Sequence, residues 1–296
     1  MDNEILVSVE IVSYYAENTI IDTLESIKKQ TYKNIELIVS DDCSKDRTIE
    51  VVSEWFLKNN SRFVRTKLLT VEKNTGVCDN LNRGLKECHG LWVKVIAADD
   101  ILLPTCIEDF VEYVKKNPDS RLVTSLVRVY KNTFAEENYV HTMGDCSNIA
   151  EKSLEDQMRL VAFRHTIASP SCFYNKQMLE ELGGWNDQYG YEDHPFFLTF
   201  LEHGFRIHYI PKETVGYRIH NSTVNSSDKL FNPEFICLSK KFRKERCFKY
   251  YSWKQKLSLR MSWLCYSLFD TLNLNRNRKF NRLMFRAMMS VIYRIG

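Results

Sequence analysis

The sequence predicts an α/β fold: a mostly parallel sheet flanked by helices, followed by a helical, basic C-terminal extension. Three observations lead there. Short apolar, β-branched runs alternate with helix-period segments over the first 130 residues. Two of those runs, Ile35 to Val39 and Leu91 to Ala97, end in paired carboxylates, Asp41-Asp42 and Asp99-Asp100. Charge is also divided along the chain. Residues 228–296 hold 16 Lys or Arg against 4 Asp or Glu, whereas the preceding residues are net negative.

In chain order, strands are expected near Leu6 to Ser13, Ile35 to Val39, Phe63 to Val71, Leu91 to Ala97 and Leu122 to Val129. Between them, helices are expected over Thr19 to Lys29, Asp46 to Lys58, Val77 to Cys88 and Thr105 to Lys115. In the first helix Ile20, Thr23, Leu24 and Ile27 recur at the spacing of one buried face. Ile101 to Pro104 is read as the start of the fourth helix. Lys131 to Ala150 is polar and lacks a period, which reads as a long connection able to cover a site. Further helices are expected over Glu151 to Phe163, Lys176 to Leu182 and Asp193 to His203, with a strand at Ser171 to Tyr174. Gly183-Gly184 and Gly204 mark helix stops. Beyond Asn232-Pro233 the chain turns helical, basic and aromatic. Residues 1–227 are therefore expected to form one domain, with halves at about 1–130 and 131–227, and residues 228–296 a separate helical region.

Composition narrows the class. The chain has 44% hydrophobic and 27% charged residues, ordinary for a soluble globular protein. Its nine cysteines are scattered with no Cys-x-x-Cys pair, so reduced thiols are expected rather than disulfides or a zinc site. No run reaches the roughly 18 apolar residues that a membrane span requires. The start carries no basic n-region or cleavable apolar segment, so a cytoplasmic location is expected.

Ligands of an open α/β sheet collect outside the carboxyl ends of its strands. Adjacent carboxylates there suit the N–H and hydroxyl donors of a nucleoside, or a hard divalent cation on a diphosphate. Asp41 and Asp42 would also serve as a turn and helix cap, and Asp99 with Asp100 likewise. A third cluster is Gly183-Gly184-Trp185 followed by Glu192-Asp193. Asp193 opens a helix, where the dipole favours its ionised form, which suits either a general base or an N-cap. His220, in Tyr217-Arg218-Ile219-His220, is either a ligand or a hydrogen-bonded structural residue. No Gly-x-Gly-x-x-Gly follows the first strand, which argues against a dinucleotide-dependent dehydrogenase.

Together these clusters resemble the inverting family 2 glycosyltransferases of GT-A (nucleotide-diphospho-sugar transferase) fold. The resemblance runs in order over about residues 5–225. Val7 to Tyr15 resembles the opening strand and nucleotide loop, and Ser26 to Thr31 the end of the first helix. Asp41-Asp42-Cys43-Ser44 is similar to the base-binding Asp-Asp-Gly-Ser element, and Asn74-Thr75-Gly76 with Asn82-Arg83-Gly84 to the middle segment. Ala98-Asp99-Asp100 stands at the metal-binding acidic motif, and Gly183 to Asp193 at the acceptor segment.

The resemblance implies a nucleotide site of Val12, Ser13, Tyr15, Asp41, Asp42, Asn82 and Asp99, with Asp42 on the base and Asp99 on the ribose. It implies Mn²⁺ or Mg²⁺ on Asp100 and His220, acceptor contacts from Glu192 and Trp185, and Asp193 as general base. A single in-line displacement would then move a sugar from a nucleotide sugar, UDP favoured, to a saccharide hydroxyl with inversion. An α-linked donor would yield a β-linked product, as in O-antigen or capsule assembly. The sequence departs from the pattern in three places: Cys43 replaces the usual Gly, Ala97 the first acid of Asp-x-Asp-Asp, and Leu81 an Arg. The competing readings are an inactive GT-A-fold scaffold binding sugar or lipid, and a sugar nucleotidyltransferase, which should carry a Gly-rich loop after the first strand.

Residues 275–295 can be drawn as a helix with Arg278, Lys279, Arg282 and Arg286 on one side. Phe280, Met284, Met288, Val291, Ile292 and Ile295 fall on the other. A basic amphipathic helix of this kind suits a membrane surface, or packing against the catalytic domain or a second subunit in a homo-oligomer. The first alternative implies a peripheral protein at the inner face of the cell membrane, acting on a polyprenyl-diphosphate-linked saccharide. No nucleic-acid partner is expected, because the basic residues lie outside the acidic domain and no nucleic-acid-binding module accompanies them.

Overall fold

The computed structural model describes residues 4–164, 167–219 and 229–295. These fall into two compact units. The first comprises Met1–Gln157, Thr166–Asp187 and Tyr191–Ile219, and the second Met158–His165, Gln188–Gly190 and His220–Gly296.

The first unit begins with β1 (Val7–Ser13), α1 (Ile20–Lys28), β2 (Ile35–Asp41), α2 (Thr48–Asn59), β3 (Arg65–Leu69), α3 (Val77–Glu87) and β4 (Trp92–Ala97). These elements match the alternation read from the sequence. β2 is buried along its whole length, as a central parallel strand with helices on both faces must be. α1 buries Ile20, Thr23, Leu24 and Ile27 on one face. Each fully buried Ile or Leu of this layer contributes about 1.5–3 kcal/mol relative to exposure.

β5 (Ile101–Leu102), α4 (Cys106–Lys116), β6 (Leu122–Lys131), β7 (Tyr139–Met143), α5 (Ser147–Ala150) and α6 (Leu154–Phe163) follow. Then come β8 (Phe173–Asn175), α7 (Lys176–Glu181), α8 (Asp193–Glu202) and β9 (Ile207–Ile219). Two expectations are corrected here, and one strand is added that was not read from the sequence. Ile101-Leu102 does not begin a helix but pairs antiparallel with Gly216 and Val215 of β9. The segment read as a structureless connection contains β7, an edge strand paired with β6. The added strand is β9, a 13-residue strand interrupted in sequence by Pro211-Lys212-Glu213. It pairs parallel with β6 through two register shifts, which absorb the proline.

Among the described residues the strand order is β3-β2-β1-β4-β8-β6-β9-β5, with β7 beside β6. β3, β2, β1 and β4 are mutually parallel. The chain steps from β1 to β2 on one side and returns through α3 to β4 on the other, so the topological switch point lies between β1 and β4. Register places Ser13 opposite Asp41 and Val12 opposite Ala97. Both acidic loops therefore leave the sheet at the same edge, on either side of β1.

The core beneath includes Trp92, Phe173 and Phe110, whose rings stack at 4.9 and 5.0 Å. β4 also carries a fully buried Lys94, which donates to the carbonyls of Pro170 and Cys172. Burial pushes its pKa down. Glu10 of β1 is fully buried against Gly84 of α3, and burial drives its carboxyl well above the usual range in spite of Arg83.

The second unit includes α9 (Pro233–Phe242), α10 (Trp253–Thr271) and α11 (Lys279–Tyr293). Asn232 caps α9 by accepting from the amides of Glu234 and Phe235, with Pro233 at the first helical position. Ser252 and Gln255 form a capping box on α10. The apolar side drawn for the last helix divides on folding. Ile292 turns inward with Met289, while Phe280, Met288 and Val291 are exposed.

Candidate active site

Asp41 ends β2 fully buried. Its Oδ1 accepts from the Ser44 amide at 2.8 Å, and its Oδ2 accepts from the hydroxyls of Ser44 at 2.6 Å and Ser13 at 2.8 Å. Ser44 Oγ in turn accepts from the Tyr15 amide at 2.8 Å. Asp41 and Ser13 thus build the loop rather than face solvent. The loop presents Tyr14 and Tyr15 instead, about half exposed at 51% and 52%, with rings edge-to-face at 4.6 Å. The Val12 carbonyl accepts from the Ala98 amide at 3.0 Å and joins this loop to the second acidic one. Cys43 adopts φ +71°, the conformation that a glycine would take, and its thiol donates to the Glu72 carbonyl. The side chain costs about 1–2 kcal/mol of backbone strain and leaves the turn in place.

Asp42 is 3% exposed and holds a cage of donors. Oδ1 accepts from the Thr75 hydroxyl at 2.7 Å and Arg83 Nη2 at 3.1 Å, and Oδ2 from the amides of Thr75 at 3.0 Å and Gly76 at 2.8 Å. Burial alone would raise its pKa, but hydrogen bonds from Thr75, Arg83 and Gly76 outweigh burial and hold the carboxyl below its usual value. In this conformation Asp42 fastens the Asn74-Thr75-Gly76 segment and the start of α3 to β2. Arg83 also donates to Ser40 Oγ, Asn80 Oδ1 and the Asp41 carbonyl, so it ties the end of β2 to α3.

Of the second pair, Asp99 is partly exposed and Asp100 is buried at 1%. The accessible member is therefore not Asp100, where the metal was expected. Asp100 Oδ1 accepts from the Arg218 amide at 2.9 Å, and its Oδ2 is a buried oxygen with no hydrogen-bond partner. Burial first, and the neighbouring Asp99 charge second, push the Asp100 carboxyl well above the usual range. An orphaned, repelled carboxylate oxygen beside a second carboxylate is a set that a hard cation would satisfy. Among the described residues no group of three or more His, Cys, Asp or Glu is arranged to hold a metal. His220, the other expected ligand, lies outside the described residues. Arg218, two positions earlier, anchors the loop. Its guanidinium donates to the Asp99 carbonyl at 2.9 Å and to Asp22 Oδ2 at 2.7 Å, and lies 4.4 Å from the Phe134 ring centroid.

The Gly183-Gly184-Trp185 segment is fixed from α3. Asn82 Nδ2 donates to the Trp185 carbonyl at 2.7 Å and Asn82 Oδ1 accepts from the Trp185 amide at 2.9 Å. Asn82, expected on the nucleotide, instead clasps Gly183-Gly184-Trp185. Trp185, expected on the acceptor, is 6% exposed and stacks on Phe196 at 5.7 Å. Glu192 stands at the N-cap position of α8 and Asp193 is its first residue, both partly exposed, and Asp193 Oδ1 accepts from the His194 amide at 2.7 Å. Gly184 has φ +75°, and a Cβ there would lie 2.1 Å from Asn82 Oδ1. Gly184→Ala is thus expected to lower unfolding free energy by about 2–4 kcal/mol, from the left-handed backbone and the broken clasp. A urea titration checks this, and an unchanged midpoint would show that the clasp contributes nothing.

The structure thus gathers Val12, Ser13, Tyr15, Asp41, Asp42, Asp99 and Asp100 at one sheet edge. Thr75, Arg83 and Arg218 join them without having been singled out. Their signals were present in the quoted Asn74-Thr75-Gly76, Asn82-Arg83-Gly84 and Tyr217 to His220 segments.

Residues 8–183 match the family model described as Glycosyl transferase family 2. An uncharacterized glycosyltransferase of Haemophilus influenzae is 28% identical over 254 residues, 84% of this chain and 76% of that protein. The Escherichia coli UDP-Glc:alpha-D-GlcNAc-diphosphoundecaprenol beta-1,3-glucosyltransferase WfaP is 25% identical over 227 residues, 75% of this chain and 80% of that protein. Among solved structures, S. aureus TarS 1-349 in complex with UDP-GlcNAc aligns with a TM-score of 0.59 at 17% identity, over 98% of this chain and 72% of that one. GalNAc-T7 with UDP, GalNAc and Mn²⁺ aligns with a TM-score of 0.60 at 16% identity, over 90% of this chain and 51% of that one.

Proposed function

Since the chain belongs to glycosyltransferase family 2 and has the GT-A fold, we propose that it transfers a sugar from a UDP-sugar to a hydroxyl of a lipid-diphosphate-linked saccharide, with inversion, in surface polysaccharide synthesis. The observation that carries the reading is the register of β1, β2 and β4, which brings Asp41, Asp42, Asp99 and Asp100 to one edge at the switch point. A UDP donor and a lipid-linked acceptor are supported by the names of the relatives, WfaP in particular.

In this reading Tyr14 and Tyr15 flank the base, and the loop held by Asp42 and Arg83 walls the nucleoside. Asp99 and Asp100 would hold Mn²⁺ or Mg²⁺, whose chemistry is to neutralise charge on the departing diphosphate. Asp193 accepts the proton of the attacking acceptor hydroxyl on the face opposite the leaving group, and Glu192 orients that acceptor. The nucleotidyltransferase reading loses support because the loop after β1 is Ser13-Tyr14-Tyr15-Ala16, without the glycines that cradle a triphosphate.

Thermal melting with UDP, GDP or CMP, with Mn²⁺ or EDTA, tests the donor site. UDP at about 100 times its dissociation constant should stabilise the fold by about 2.7 kcal/mol. The effect should weaken with EDTA and in Asp99→Asn. No shift with any nucleotide would favour a non-catalytic scaffold.

A further inference from the structure

The second unit contains a helical hairpin, α10 and α11, that uses only one of its faces internally. Cys265 and Phe269 of α10 and Met289 and Ile292 of α11 are buried together, and Ser258 Oγ donates to the Ile292 carbonyl at 2.9 Å. A different face carries Leu257, Met261, Leu264, Leu268 and Leu272, spaced by four, three, four and four residues, all exposed. On α11, Phe280, Leu283, Met288 and Val291 are also exposed, at 72%, 56%, 38% and 62%. Between the two helices runs an apolar groove of about 450 Å³ whose walls include Met261, Leu264, Leu268, Met288 and Val291. A soluble helix with no partner would place polar residues at these positions.

Charge decides what covers this face. Residues 251–295 hold nine Lys or Arg and a single acid, Asp270. At the turn of the hairpin Lys229, Arg276 and Arg278, with Asn273, Asn275 and Asn277, line a second, polar hollow of about 500 Å³. A second copy of the same surface would set nine cations against nine. An anionic bilayer offers acyl chains to the leucine stripe and phosphates to the cations at once. Among the described residues no helix is long and apolar enough to cross a membrane, so the hairpin would lie in the interface rather than span it.

We propose that the α10–α11 hairpin is a docking surface for an anionic phospholipid bilayer. Leu264, Leu268, Met288 and Val291 enter the headgroup boundary, and Arg276, Arg278, Arg282 and Arg286 meet lipid phosphates. This would carry the protein to the plane of a lipid-linked acceptor, but the inference stands on the hairpin and is independent of the transferase reading.

The full chain is sedimented with vesicles of phosphatidylcholine alone or mixed with phosphatidylglycerol, at low and high salt. Binding is expected with phosphatidylglycerol, weaker by about tenfold or more without it or at high salt. The variant Leu264→Gln/Leu268→Gln/Val291→Gln should lose about tenfold or more in partitioning. Arg282→Gln/Arg286→Gln should lose the preference for anionic vesicles while retaining its helical circular dichroism and melting temperature. Equal binding to both vesicle types, sedimentation unchanged in both variants, or no binding to either would overturn the proposal. So would a concentration-dependent dimer, seen by light scattering and abolished by the glutamine variant, in a protein that ignores vesicles.

Discussion

Asp193→Asn is expected to slow sugar transfer by about three orders of magnitude while leaving UDP-dependent stabilisation intact. Asp193 is the first residue of α8, and its Oδ1 accepts from the His194 amide. An asparagine presents the same oxygen to that amide, so the helix start survives the change. What it lacks is an oxygen able to take up the acceptor's proton. A direct assay of product formation, paired with the UDP melting shift, separates chemistry from donor binding. A transfer rate within a few-fold of wild type would remove Asp193 from the role of base.

Asp42→Ala should cost about 3 kcal/mol or more of stability and abolish the UDP melting shift. The side chain is buried and accepts from two backbone amides, the Thr75 hydroxyl and Arg83; the variant removes this acceptor from all four, and of them the Gly76 amide keeps Asn74 Oδ1 and Arg83 keeps Asn80 Oδ1 and Ser40 Oγ. The pH dependence follows from the direction of its shift. Because the folded carboxyl is held below its usual value, its contribution is present above the unfolded pKa of about 3.9 and is lost as pH falls through the lower folded value. Urea midpoints for wild type should therefore fall over that acid range, and the difference between wild type and Asp42→Ala should narrow there. A constant difference down to the lowest pH at which the protein folds would mean that the ionised carboxylate is not what holds the loop.

Much of this protein was legible from its sequence because the information is local. The alternation of β1 to β4 with α1 to α3 is written in side-chain periodicity that needs no distant partner to be read. The position of Asp41-Asp42 and Asp99-Asp100 at strand ends is equally local, since an apolar run followed by acids must turn where the run stops. The basic, helical character of residues 228–296 was visible as composition and charge. β9 was not legible as a strand, because Pro211, Lys212 and Glu213 interrupt its pattern and only pairing with β6, through two register shifts, makes it continuous.

The tertiary structure alone decided which of these residues face outward. Asn82, expected on the nucleotide, bonds Trp185, 103 positions away, and Trp185 packs in an aromatic core with Phe196. Asp100 was buried under an amide from Arg218, 118 positions away, leaving Asp99 as the more accessible of two neighbours that look alike in sequence. The apolar side of the last helix was likewise divided into buried Ile292 and exposed Val291 by its contact with α10. Local propensity determines what a residue can do at a strand end or on a helix face. Which polar atoms remain accessible depends on partners supplied by chain folding, and no short-range pattern encodes those partners.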